Sequence, residues 1–105
     1  MYIHVVAGQP AVLEDQQNFR DFKVVVEGAG PQAGAFREAL APVGRLEDDK
    51  YVWVRPDWLR GATPLGGDAD WQAGLGKMKA FAEKNGWVDQ DGAMRAHIEW
   101  TAAAG

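Results

Sequence analysis

The sequence predicts an α+β domain, an antiparallel sheet with two main helices against it. Three observations carry that expectation. Met94, Ala96, Ile98 and Trp100 alternate with Arg95, His97 and Glu99, the period of a half-buried strand. Trp71, Leu75, Met78 and Ala82 recur at helical spacing, with Phe81 beside them. From Phe19 onward the segments read strand, helix, strand, strand, helix, strand, which is a ferredoxin-like βαββαβ order. An extra strand precedes it at the N-terminus.

That first strand covers Tyr2–Ala7, rich in β-branched residues and ended by Gly8-Gln9-Pro10. Ala11–Gln17 reads as a short helical turn. Phe19–Glu27 holds the apolar run of a central strand. Gly28-Ala29-Gly30-Pro31 breaks it, and Pro31 suits the first turn of a helix over 31–41. Pro42 stops that helix. Val43–Glu47 and Tyr51–Arg55 flank the polar turn Asp48-Asp49-Lys50 as a hairpin. Pro56–Arg60 makes one helical turn, and Gly61–Gly67 is a loop. Asp68 or Asp70 caps the second main helix, which Asn85-Gly86 ends. Trp87-Val88 and the turn at Asp91-Gly92 lead to the last strand, and 101–105 read as a frayed tail. No repeat or linker divides the chain, so 1–105 is expected to be one domain.

Composition excludes more than it assigns. The 105 residues include no cysteine, which removes disulfides, zinc–thiolate sites and thiol nucleophiles. There is no serine either, so serine-hydrolase chemistry is impossible. Fifteen Asp and Glu outnumber eleven scattered Lys and Arg, giving a net charge of −4. A phosphate-backbone binder usually carries a basic face, so no nucleic-acid partner is expected. The first residues lack the basic and long apolar regions of a signal peptide, and no run approaches a membrane span. A cytoplasmic location without membrane association is the expectation.

The string from Val24 to Gly34 looks like a dinucleotide fingerprint, a strand running into a glycine turn and a helix. Two departures oppose it. Gly34 falls one residue late, rotated about 100° around a helix, and Glu27 places a negative charge beside the proposed phosphates. No nucleotide and no other cofactor is expected. The second glycine loop, Pro64-Leu65-Gly66-Gly67, runs into Asp68 and Asp70, which fit capping better than an anion site.

Two groups of residues remain as site candidates. The first is the segment Tyr51, Trp53, Arg55, Trp58 and Arg60, two tryptophans and two arginines within ten residues of chain. Aromatic rings supply stacking area and arginine a charge for a carboxylate. It points to a binding or interaction module for a small organic acid or a protein. Tyr51 and Trp53 on the uncovered sheet face also predict a homodimer. The second group is His4 and His97 with Glu27 and Glu99, an acid/base set for a small cofactorless enzyme. A metal site there is not expected, because nothing in the sequence sets the spacing of these residues.

Overall fold

The computed structural model describes residues 1–6, 9–28 and 34–101, with side chains in the first helix from Phe36 onward. In chain order the strands are β1 (Tyr2–Val6), β2 (Val12–Glu14), β3 (Lys23–Glu27), β4 (Gly44–Leu46), β5 (Tyr51–Val54) and β6 (Met94–Thr101). Helix α1 (Gly34–Leu40) lies between β3 and β4. Between β5 and β6 come α2 (Pro56–Gly61), a 3-10 turn (Pro64–Gly67) and α3 (Ala69–Lys84). Among the described residues, no helix is long and apolar enough to cross a membrane.

Side-chain alternation decides which face of the sheet is covered. Ile3 and Val5, Val24 and Val26, Val52 and Val54, and Met94 and Ala96 are all buried on one face. Phe36, Leu40, Leu59, Trp71 and Leu75 from the three helices complete the same core. Each fully buried aliphatic side chain contributes about 1.5–3 kcal/mol through removal from water. The opposite face carries Tyr2, His4, Tyr51, Trp53, Arg95 and His97, all at least partly exposed.

Helix α3 begins where Asp68 Oδ1 accepts the Trp71 backbone N–H at 3.0 Å. Asp70 in the first turn and Lys84 in the last both oppose the helix dipole. Gly86, with φ 76°, then takes the chain out of the helix. Asp68→Ala is expected to cost about 1 kcal/mol, measured by urea denaturation.

The sheet corrects the ferredoxin-like expectation. It is not antiparallel but mixed, six strands in the order β2-β1-β3-β6-β5-β4, curled into a half-barrel. β1 runs parallel to β3, and β3 parallel to β6. In a ferredoxin-like sheet, β5 would lie beside β3 and β6 would take the outer edge. Here β1 takes that place beside β3, with Ile3 opposite Val24 and Val5 opposite Val26, and β2 lies outside it at the edge. β6 lies instead between β3 and β5, antiparallel to β5. The connection from β5 contains α2 and the 3-10 turn as well as α3, so the chain returns to the end of the sheet it left. A single crossover helix would deliver it to the other end.

Local expectations fare differently. Ala11–Gln17 holds the strand β2 rather than a helical turn, because Leu13 buries in the core opposite Ile3. Gly61–Gly67 contains a 3-10 turn, whose Thr63 hydroxyl accepts from the Leu65 N–H. Thr101 belongs to β6, paired with Glu27. Gly30 and Pro31, which carry most of the glycine turn, lie outside the described residues.

Candidate functional site

Tyr51 and Trp53 project from β5 onto the open face of the sheet, and each is met by an arginine. The Arg95 guanidinium lies 3.7 Å from the centre of the Tyr51 ring, and that of Arg45 lies 5.6 Å from Trp53. Arg45 is the strand partner of Trp53 on β4, while Arg95 is its partner on β6 and reaches diagonally to Tyr51, two residues along the same face of β5. Glu47 ties the set together. It accepts from Arg95 Nη2 at 2.7 Å and from Trp53 Nε1 at 3.1 Å. The Arg95 bond holds the Glu47 carboxyl below the usual carboxylate range, and the same contact raises Arg95.

A groove of about 490 Å³ opens beside Trp53, between β5, the start of α2, the middle of α3 and the turn at 89–93. Arg45, Arg55, Arg60 and Lys79 line it together with Asp57, Asp89 and Asp91. Arg45 donates to Asp89 at 3.1 Å, and Arg60 pairs with Asp57. Arg55 Nη1 donates to the carbonyls of Ala41 and Pro42, both at 3.3 Å. Burial works against the Asp89 carboxylate. The Ala93 N–H, Arg45 and the Asp91 N–H together outweigh it and keep its pKa lowered.

Of the five residues expected to bind, Trp53, Arg55 and Arg60 therefore share one groove. Tyr51 lies under Arg95 outside the lining, and Trp58 is half-buried against the core. Arg45, Lys79, Asp89 and Asp91 belong to the groove and are absent from the sequence expectation. They come from three stretches of chain that only the tertiary fold brings to Trp53, so no local pattern marks them.

Two further hollows lie elsewhere. The larger, about 630 Å³, has Leu40, Leu46, Asp48 and Asp49 in its wall, with Arg37 as its cation and no aromatic ring. The other, about 400 Å³, is lined by Tyr2, His4, Asp15, Asn18, Asp21 and Lys23.

The parallel pairing of β1 with β3 brings His4 Nε2 to 2.8 Å from Glu27 Oε2. On β6, His97 Nε2 lies 3.4 Å from Glu99, whose carboxylate is also 3.3 Å from Lys23 Nζ. The Lys23 bond, then the His97 contact, holds Glu99 below the usual range. β3 separates β1 from β6, so the two histidines stand on strands that are not neighbours. Among the described residues, no group of three or more His, Asp and Glu could hold a metal ion.

The lowered carboxylates set a pH dependence. Glu47, Asp89 and Glu99 have folded pKa values below their unfolded ones. Their stabilisation is complete above the unfolded carboxylate range, about pH 4, and is lost as pH falls through the folded values. These pairs face solvent, so the effect is small. Tm is expected to fall below about pH 4, and less steeply in Glu47→Gln.

Comparison with protein-family models, with curated proteins and with solved structures gives no match to this chain.

Proposed function

We propose that the protein is a non-catalytic binding module that takes a small organic acid in the groove beside Trp53. One observation carries this reading. Four of the eleven Lys and Arg of a chain with net charge −4 converge with a tryptophan in one groove. A flat apolar body would lie against Trp53, and the surrounding cations would attract a carboxylate. The hollow beside Trp53, with four cations against three carboxylates, is preferred to the larger one at Asp48 and Asp49, where three carboxylates against one arginine would repel an anion.

Isothermal titration with benzoate and with benzylamine tests the reading. Benzoate is expected to bind, and benzylamine to bind at least about tenfold more weakly, a difference of about 1.4 kcal/mol. Trp53→Leu and Arg55→Ala should each weaken benzoate binding, with Arg55→Ala changing Tm little, since exposed charges contribute about 0–1 kcal/mol. Equal affinity for benzoate and benzylamine would end the proposal. Self-association belongs to the same proposal. Its surface is better sought at Phe81 and Trp87, which are exposed and in edge contact, than at the arginine-covered Tyr51.

A second reading, proton transfer, is favoured by the His4–Glu27 contact. With Nε2 donating to Glu27, Nδ1 is the nitrogen left to accept a proton. The test is deuterium exchange next to the carbonyl of a small keto acid in D₂O. Catalysed exchange abolished by His4→Gln would establish it, and exchange no faster than in buffer would remove it.

A further inference from the structure

The groove's charges are not equally available to a ligand. Arg45 is committed to Asp89, and Arg60 to Asp57. Arg55 is exposed, and its Nη1 is held by two backbone carbonyls. Lys79 differs from all three. It is half-buried, and no hydrogen bond or ion pair engages its ammonium among the described residues. Its Nζ lies beside Gly92. A Cβ built on Gly92 would stand 3.2 Å from it. Gly92 has φ 84°, a conformation that favours glycine and leaves this space open.

On these grounds, and resting on the binding reading above, we propose that Lys79 is the residue that holds the ligand's carboxylate. An anion that displaced Arg45 or Arg60 from its acid would break one ion pair to make another. At Lys79 it breaks none. The new pair also forms at a half-buried site, where water screens a charge less than it does around exposed Arg55. One uncommitted ammonium matches one negative charge, so the ligand class is a monocarboxylate on a flat apolar body rather than a phosphate monoester.

The test is calorimetric titration of benzoate, benzyl alcohol and phenyl phosphate into the wild type, Lys79→Gln, Lys79→Arg and Lys77→Gln, with circular dichroism to confirm that each variant is folded. Lys79→Gln is expected to weaken benzoate binding at least about tenfold, as loss of a charge-assisted contact does. Lys79→Arg should stay within about threefold of wild type and Lys77→Gln likewise, because the first keeps the charge and the second removes an exposed charge of the same helix outside the groove. Benzyl alcohol, which has no charge, should bind wild type and Lys79→Gln alike. If the wild type binds benzoate and Lys79→Gln binds it equally well, the Lys79 assignment is overturned while the groove reading stands. If phenyl phosphate binds more than about tenfold tighter than benzoate, the monocarboxylate class is wrong. If the wild type binds neither benzoate nor phenyl phosphate, the groove reading fails, and this inference with it.

Discussion

Phe36→Ala is expected to destabilise the protein by about 3–5 kcal/mol, a large part of the roughly 5–15 kcal/mol that holds a domain of this size together. Phe36 is the anchor of α1 and is fully buried. Its ring meets Trp100 edge-on, with centroids 4.6 Å apart. Trp100 in turn donates from Nε1 to the Asp49 carbonyl at 2.8 Å, linking β6 to the β4–β5 turn. Removing the Phe36 ring therefore opens a cavity and also frees the tryptophan that ties two parts of the sheet. Urea denaturation followed by circular dichroism measures the loss. A change below about 1 kcal/mol would mean that the ring is not packed as described.

Gly44→Ala is expected to be as damaging, for a steric reason. A Cβ at this position would lie 1.8 Å from the Trp53 carbonyl oxygen and 2.8 Å from its carbon. Both are backbone atoms of the neighbouring strand, so no side chain can turn aside. β4 must move away from β5, breaking the pairing of Gly44 with Val54 and of Arg45 with Trp53. The cost should exceed the usual 1–3 kcal/mol of overpacking. Because Arg45 holds Asp89 across the groove, benzoate binding should be lost as well. Gly76→Ala is the control: nothing lies within 4 Å of its Cβ, and alanine in a helix should be neutral or stabilising by up to about 1 kcal/mol. Equal behaviour of the two variants in thermal melts would contradict the strand packing.

What was legible in the sequence was local. The spacing of Trp71, Leu75, Met78 and Ala82 identified α3, and the alternation from Met94 to Trp100 identified β6. Asp68 marked a real helix cap. What was not legible depended on pairing between distant segments. Nothing in Val12–Glu14 distinguishes a three-residue edge strand from a turn, and only the partner β1 makes it one. The order of strands could not be read because Val24–Val26 can accept β1 or β6 on either side, and here accepts both. The same limit governs the candidate site. Trp53, Arg55 and Arg60 are close in sequence, so they could be grouped. Lys79 reaches them from α3 and Asp89 from the following turn, and their proximity is a product of the tertiary fold. His4 meets Glu27, 23 residues further along the chain, for the same reason, across a parallel pairing of strands.

The central claim is that the groove beside Trp53 holds a small organic acid. Nuclear magnetic resonance tests it most directly, by mapping amide and indole N–H shifts of the ¹⁵N-labelled protein as benzoate is added. The expected result is a saturable set of shifts at the Trp53 indole, Arg55, Asp57, Lys79 and Gly92, with the amides around His4 and Asp48 unchanged. Shifts centred on His4 or on Asp48, or none at benzoate concentrations that should saturate the groove, would contradict the claim.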